Sequence, residues 1–278
     1  MANPLLGLAA AAARLLPAPL KRGLYKLGPL SRGLRAALNR AAPQGLSEVS
    51  VAAGGLAGAT LLLDLQSEKD YWLGTYEMEL QHAIRAWAKP GTVVYDLGAN
   101  VGYVSLLLAR AVGAGGQVFA FEPLPANQAR LRRNLELNPG VKVALIPAAA
   151  ADASGRASFA LHGSDDMGHL HSAGSLTDKS IEVETLALDA FAKSHPAPSL
   201  VKIDVEGAEL LVLQGMQQLL RTQQPILFIE LHGYQAGQEC WALLRQAGYQ
   251  LYWMQTGYPL IHAVSELKKK SYVIARAA

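Results

Sequence analysis

The sequence contains one cysteine, Cys240, in 278 residues, which excludes a disulfide framework and a cluster of thiolate metal ligands. Charged residues are also few, at 17%, whereas 51% of residues are hydrophobic, so the composition excludes a disordered chain. No uninterrupted apolar run reaches the length of a membrane span. These features are typical of an enzyme-sized globular protein from a reducing compartment, and we expect it to be cytoplasmic.

Acidic residues are absent from residues 1–47, which hold seven basic ones, whereas residues 48–278 hold 18 basic and 22 acidic residues. We interpret residues 1–47 as a basic amphipathic helical extension, broken at Pro17, Pro19 and Pro29. A helical cap, peripheral contact with an anionic membrane, and a disordered or processed tail stay open as alternatives. The acidic remainder argues against a nucleic-acid partner, and a homo-oligomer is compatible with the sequence.

The rest of the chain divides into a short pre-domain segment, residues 48–90, and a larger domain, residues 91–278. The first is predicted to form one or two short strands and a helix with Leu80, Ile84 and Trp87 on one face. In the second, apolar runs alternate with amphipathic segments, which predicts a mostly parallel sheet with helices on both faces. The predicted strands span residues 92–97, 117–122, 141–147, 156–161, 181–186, 199–205, 225–231, 249–255 and 271–276, and one helix is predicted over residues 208–220.

The first strand of the larger domain leads into DLGANVGY, residues 96–103. Gly98 and Gly102 permit a tight turn and the close approach of a ligand. Asn100 replaces the second glycine of the dinucleotide-binding G-x-G-x-x-G motif. Asp96 would repel a pyrophosphate but attract the ammonium of an aminoacyl group. The loop therefore favours S-adenosylmethionine, whose product is S-adenosylhomocysteine, over a dinucleotide.

A second acid, Glu122, ends the next strand, where a carboxylate can accept hydrogen bonds from both ribose hydroxyls. An acid at this place also occurs in NAD-binding folds, so Glu122 alone does not discriminate. Combined with the loop residues of the preceding strand end, it predicts a binding site for S-adenosylmethionine.

A further group of polar residues lies at the predicted ends of two neighbouring strands. The motif VKIDVEGAE spans residues 201–209. If the alternation of a strand continues to Glu206, the polar side chains of Lys202, Asp204 and Glu206 lie on one face. Glu209 is interpreted as a charge that suits the first turn of the following helix. The spacing of Glu230 and His232 directs both to one side of the next strand. The predicted catalytic residues are Lys202, Asp204, Glu230 and His232.

The sequence resembles the FkbM-type S-adenosylmethionine-dependent methyltransferases over about residues 71–275. The blocks that carry the resemblance are WLGTYE (72–77), KPGTVVYDLGANVGYVSLLLA (89–109), FEPLPANQARLRRNLELN (121–138), VKIDVEGAELLVLQG (201–215) and FIELHG (228–233). The resemblance implies a class I Rossmann-like methyltransferase fold with a mostly parallel seven-stranded sheet. It also implies methyl transfer to hydroxyl groups of small metabolites such as sugars and polyketides. Residues 1–47 lie outside it.

The resemblance also implies roles for residues outside the two strand-end groups. It places Ala149, Ala150 and Asp152 beside the adenine. Pro123, next to Glu122, is also predicted to bind the donor. Tyr76 and Glu77 would form part of the roof over the acceptor. The polar stretch of residues 162–176 is too long for a plain connection and is interpreted as a lid or acceptor-recognition loop. The predicted acceptor-binding residues are Tyr76, Glu77, Glu206, His169 and His171.

Methylation of a hydroxyl requires a group that takes its proton near the transition state. Two arrangements stay open: His232 or Asp204 is the general base, or Asp204 and Glu230, with His232, hold a divalent metal. Because Mg²⁺ prefers oxygen ligands, His232 argues against a simple magnesium site, and we favour the metal-free base. The predicted function is O-methylation of a small hydroxylated metabolite. The alternatives are N-methylation, an RNA- or protein-directed methyltransferase, and a scaffold that has lost catalysis.

Overall fold

The computed structural model describes residues 4–15, 40–162, 167–170 and 180–278. The chain divides into two compact units, of which the smaller comprises residues 1–78 and 133–139 and the larger comprises residues 79–132 and 140–278. This division by compactness differs from the boundaries at residues 47 and 90, which stay a prediction. In the described segments, no helix combines the length and the apolar character needed to cross a membrane.

The described residues of the smaller unit include two helices and a hairpin. Helix α1 spans Pro4–Leu15, strands β1 and β2 span Leu46–Ser50 and Thr60–Asp64, and helix α2 spans Lys69–Leu73. The strands pair antiparallel, from Leu46 opposite Asp64 to Ser50 opposite Thr60, which confirms that short strands precede the larger domain. Because β1 begins at Leu46, it overlaps the end of the predicted extension. The breaks predicted at Pro17, Pro19 and Pro29 lie outside the described residues.

The larger unit is built on a seven-stranded sheet. Its strands in chain order are β3 (Val93–Leu97), β4 (Gln117–Phe121), β5 (Val143–Ile146), β6 (Ala149–Ala150), β7 (Gly155–His162), β8 (Met167–Leu170), β9 (Ser180–Leu186), β10 (Leu200–Ile203), β11 (Ile226–His232), β12 (Tyr249–Trp253) and β13 (Lys270–Ala277). The large sheet has the order β12-β13-β11-β10-β3-β4-β5. Only β13 runs antiparallel to its neighbours in this sheet, which confirms the predicted mostly parallel architecture.

A smaller sheet with the order β6-β9-β7-β8 belongs to the same unit. Strand β8 pairs antiparallel with β7, from His162 opposite Met167 to Phe159 opposite Leu170. The stretch of residues 162–176 is therefore not irregular throughout, because part of it continues a sheet. The remainder of that stretch lies outside the described residues.

The remaining α-helices of the described residues lie before and between these strands in the chain. They are α3 (Met78–Trp87), α4 (Tyr103–Val112), α5 (Pro125–Glu136), α6 (Leu188–Phe191), α7 (Glu209–Gln214), α8 (Gln217–Thr222) and α9 (Tyr234–Gln246). The prediction of a single helix over residues 208–220 is wrong, because α7 ends before Gly215 and α8 begins after Met216. A Cβ on Gly215 would lie 2.0 Å from the carbonyl oxygen of Ala151, so the break allows two backbone segments to approach closely.

An aromatic cluster supports the middle of the large sheet. Tyr95 on β3 contacts Phe119, Phe121 and Phe191 edge-on or tilted, with ring centroids 5.4–5.8 Å apart. The buried Tyr95 hydroxyl donates a 2.8 Å hydrogen bond to the carbonyl oxygen of Pro196. These rings pack against β3 and β4. Because the two strands are parallel neighbours, their carboxyl ends lie side by side at the edge of the sheet where the polar motifs begin.

Candidate active site

The loop between β3 and α4 is bound to the end of β4. The backbone N–H groups of Gly98 and Ala99 both donate to the carbonyl oxygen of Phe121, at 3.0 and 2.9 Å. Gly98 has a φ of 75°, and a Cβ there would lie 1.9 Å from the carbonyl oxygen of Asp204. A side chain cannot fit between these two backbone segments. Glycine at this position therefore brings the loop next to the acidic motif that follows β10.

Glu122 lies directly beside this loop. Its carboxylate is buried, with one oxygen accepting from the Asn100 N–H at 2.7 Å and the other from the Leu124 N–H at 2.9 Å. Asn100 itself has a left-handed backbone with a φ of 50°. Burial raises the pKa of Glu122, although these hydrogen bonds and Lys202 oppose the shift. Glu122 thus holds the loop in place, which the sequence did not indicate, and its role toward a ribose stays a prediction.

The environment of Asp96 differs from the predicted one. Its side chain is fully buried, the Ser105 hydroxyl donates to it at 2.6 Å, and the Lys202 ammonium lies 3.3 Å from its other oxygen. Asp96 was predicted to attract the ammonium of the donor, whereas in the described structure its buried carboxylate contacts the Lys202 ammonium. A contribution of Asp96 to donor binding stays a prediction and would act through the residues around it.

Lys202 connects the two predicted groups of site residues. Besides Asp96, its ammonium lies 3.5 Å from Asp204 Oδ2 and donates to the carbonyl oxygens of Leu97 and Gly98, at 3.2 and 2.9 Å. The side chain is only 5% exposed, so these contacts form in a low-dielectric environment. Lys202 therefore positions both the start of the glycine loop and the Asp204 carboxylate.

A cluster of carboxylates surrounds His232 at the ends of β10 and β11. The His232 Nε2 lies 2.8 Å from Glu230 and 3.4 Å from Glu206, and Nδ1 lies 2.9 Å from Glu209. Glu209 is fully buried and also accepts a 2.9 Å hydrogen bond from the Gly207 N–H. Glu209 therefore fixes both the turn after Asp204 and the orientation of the imidazole.

This arrangement argues against His232 as a neutral general base. Burial by itself would lower the pKa of His232, but the hydrogen bond with Glu209 and the adjacent carboxylates of Glu230 and Glu206 raise it to about 10. At neutral pH the ring is protonated and cannot accept the proton of a hydroxyl. Burial raises the pKa of Asp204 against the opposing effect of Lys202, which makes Asp204 the better candidate base of the two.

Three residues of the same cluster are close enough together to be candidate ligands of a metal ion. Ligand atoms of Asp204, Glu230 and His232 lie within 4.8 Å of one another. However, Glu230 Oε1 forms ion-pair contacts with the Lys270 ammonium and with His232. A divalent ion would have to displace two cations from that oxygen. The donor set therefore fits a metal poorly, in agreement with the preference for a metal-free base.

The other predicted donor-site residues are distributed as follows. Gly102 precedes α4 with a φ of 87°, and a Cβ there would lie 3.0 Å from Leu131 Cγ, so this position also favours glycine. Pro123 is half-buried next to Glu122, Ala149 is buried in β6, and Asp152 is exposed after β6. Contact of Pro123, Ala149 and Asp152 with a donor stays a prediction.

The predicted acceptor-binding residues that the structure describes belong to different elements of the chain. Glu206 belongs to the carboxylate cluster, and its left-handed φ of 51° shows that strand alternation ends before it. Tyr76 and Glu77 belong to the smaller unit, where the Tyr76 ring contacts Tyr71 edge-on at 4.5 Å. His169 lies in β8, and His171 lies outside the described residues. For all of these residues, acceptor binding stays a prediction.

Sequence reasoning missed three residues of the site. Ser105 lies one helical turn into α4, and its contact with Asp96 had no signal in the motif. Glu209 had been assigned to the helix dipole alone. Lys270 reaches Glu230 because β13 pairs antiparallel with β11, and this register places it opposite His232. Only a correct strand order could have revealed that contact.

Comparison with known proteins relates the chain to one family. Residues 96–251 match the family model described as "Methyltransferase FkbM domain". The "Hexuronic acid methyltransferase AglP" of Haloferax volcanii is 30% identical over 151 residues, which is 52% of this chain and 58% of that protein. The chain thus matches less than two thirds of the length of that relative. The structure of "Methyltransferase FkbM" from Methylobacillus flagellatus KT has 18% identity and a TM-score of 0.43, and the likeness covers 76% of this chain and 53% of that one.

Proposed function

Because the chain belongs to the methyltransferase FkbM family and uses S-adenosylmethionine, we propose that it methylates a hydroxyl group of a small metabolite. The observation that carries this proposal is the contact between the glycine loop and the acidic motif after β10. Gly98 lies so close to the backbone of Asp204 that a Cβ would overlap its carbonyl oxygen. A donor on the loop and a base at Asp204 would therefore share one site.

The proposed reaction needs few groups from the protein. The donor supplies a methyl group on a sulfonium, which is a good leaving group. The chain aligns the acceptor oxygen with that methyl carbon and excludes water. Asp204 takes the hydroxyl proton as the oxygen–carbon bond forms and the carbon–sulfur bond breaks. Lys202 is a positioning residue, since its ammonium lies 3.5 Å from Asp204 and bonds to the loop carbonyls.

A sugar-like acceptor has the best support among the classes of hydroxylated metabolite. The relative from Haloferax volcanii is named for methylation of a hexuronic acid, which is a sugar derivative. Polyketide and lipid-like acceptors stay within the proposal. An RNA acceptor has less support, because residues 48–278 carry more acidic than basic residues. Cytoplasmic location, peripheral membrane contact and homo-oligomerisation are proposed from the sequence alone.

The test is a screen of hydroxylated sugars, polyketides and lipids with the full chain and isotopically labelled donor, read by the mass of the product. An O-methylated product is expected, whereas N-methylation or labelling of RNA or protein alone would contradict the proposal. Asp204→Asn should lower kcat by roughly 10²–10⁴-fold with nearly unchanged donor affinity by calorimetry. The control Glu239→Gln changes an exposed glutamate on α9 and should retain full activity. Full activity of Asp204→Asn would refute its role, and loss of activity in EDTA would refute the metal-free arrangement.

A further inference from the structure

Helix α1 is almost entirely apolar in sequence. In PLLGLAAAAARL, residues 4–15, Arg14 is the only charged residue. A helix that is apolar all round is normally buried on all sides, whereas a helix at a protein surface has a polar face toward water. Because α1 is not buried on all sides, part of its apolar surface is left for a partner.

One face of α1 packs against the smaller unit. Ala13 is buried in a cluster with Ala52 and Ala53, and the half-buried Ala10 and Leu73 pack against this cluster. Ala52 and Ala53 follow β1, and Leu73 ends α2. These contacts therefore hold α1 on the smaller unit by a single face.

The opposite face of α1 is exposed along the helix. Side chains are described for residues 7–13 and 15, and the exposed ones are Gly7, Leu8, Ala11, Ala12 and Leu15. At about 3.6 residues per turn these positions lie within one arc of about 140°, on the side away from Ala13. Leu8 is 69% exposed and Leu15 is 82% exposed. This face is therefore apolar and continuous, and it is uncovered in the described part of the chain.

The charge of the surrounding sequence indicates what covers this face. Residues 1–47 hold seven basic residues and no acidic one. A second copy of the chain would bring an equal positive charge to the contact, so like charges oppose self-association through α1. An anionic bilayer offers apolar acyl chains to the leucines and negative charge to the basic residues. We propose that the exposed face of α1 docks on an anionic membrane, with the helix lying in the plane of the interface.

Docking through this face combines two contributions. The membrane affinity of an interfacial helix increases with the apolar area that it buries and with its attraction to anionic lipids. Salt screens the second contribution, because the surface potential decays within a Debye length. The full chain should therefore bind anionic vesicles more tightly than neutral ones, and this difference should decrease as the salt concentration rises. Neither contribution involves the methyl transfer, so docking goes beyond the proposed function and is independent of it.

The experiment measures sedimentation of the full chain with two kinds of vesicle. One kind is phosphatidylcholine alone, and the other is phosphatidylcholine and phosphatidylglycerol in equal parts. The affinity for the mixed vesicles is expected to be at least about tenfold higher at low salt. Equal affinity for both kinds, or no binding to the mixed vesicles, would overturn the proposal. Methylation of soluble acceptors without vesicles tests the proposed function separately, so the two failures are distinguishable.

Substitutions assign the binding to the exposed face of α1. Leu8→Glu and Leu15→Glu each remove a leucine from the interface and add a charge, and each should lower the affinity for the mixed vesicles at least about thirtyfold. Leu46→Glu is the matched control, because Leu46 is 50% exposed on β1 of the same unit and receives the same charge. This control should lower the affinity about fivefold or less. An equal loss in all three variants would refute the role of α1, since charge alone would then explain it.

A second copy of the chain is the other occupant that these measurements distinguish. Sedimentation velocity without vesicles gives the oligomeric state of the full chain and of Leu15→Glu. A dimer that Leu15→Glu dissociates, together with no binding to the mixed vesicles, would overturn the proposal in favour of self-association. Because Leu8 and Leu15 are exposed, both variants should retain the Tm of the original protein, so that a lower affinity reports on the surface.

Discussion

Replacing Gly98 with alanine tests the contact on which the proposed site depends. The new Cβ would lie 1.9 Å from the Asp204 carbonyl oxygen, a backbone atom that cannot rotate away. The left-handed backbone costs a non-glycine residue about 1–2 kcal/mol. Relief of the overlap adds about 1–3 kcal/mol, as for an overpacked core. Gly98→Ala should therefore lower the free energy of unfolding by about 2–5 kcal/mol and weaken donor binding.

The control for this prediction is Gly207→Ala. Gly207 also has a positive φ, 102°, but a Cβ there would have no atom within 4 Å. This variant carries backbone strain without overlap, so the difference between the two variants measures the close contact. Denaturant unfolding followed by tryptophan fluorescence gives both free energies, and calorimetry gives the donor affinity. If Gly98→Ala loses no more stability than Gly207→Ala and binds the donor normally, the loop and Asp204 do not meet as described.

Three further predictions concern other parts of the larger unit. Lys202→Met leaves Asp96 buried without its cation and should lower the free energy of unfolding, measured with denaturant, by about 3–5 kcal/mol. A decrease no greater than that of the exposed control Lys193→Met would contradict this prediction. Asp189→Ala removes the carboxylate that accepts from the first N–H groups of α8, and should lower stability by about 1 kcal/mol in thermal unfolding; an unchanged Tm would contradict it. Burial raises the pKa of Cys240 to about 12, so the native thiol should not react with a disulfide reagent at pH 8 until the protein unfolds; rapid reaction of the folded protein would place Cys240 at the surface.

The parallel core could be predicted because its residues carry strong local signals. Val93–Leu97 and Gln117–Phe121 are short apolar runs between helix-like segments, and a strand covered on both faces needs this composition. The glycine loop was equally accessible, since a turn between strand and helix requires residues that tolerate a positive φ. The strands and the glycine loop are determined by residues adjacent in the sequence, so the sequence pattern is enough to predict them.

The electrostatics of the site depend on contacts that pattern does not contain. Asp96 was expected to attract the ammonium of the donor, but its contact with the Lys202 ammonium arises from the adjacency of β3 and β10. His232 was expected to be a candidate base, but its protonation depends on a glutamate from α7 and another from its own strand. Lys270 reaches Glu230 only through the antiparallel register of β13. Apart from the pair Glu230 and His232, these contacts join residues far apart in the chain, so no local spacing could reveal them.

The most direct measurement is a crystal structure of the full chain with S-adenosylhomocysteine, the product of the proposed reaction. The ligand is predicted to lie along residues 98–102, with its ribose at Glu122 and its sulfur on the side of Asp204. Binding at another place in the molecule, or no binding at millimolar concentration, would contradict the assignment of this loop as the donor site.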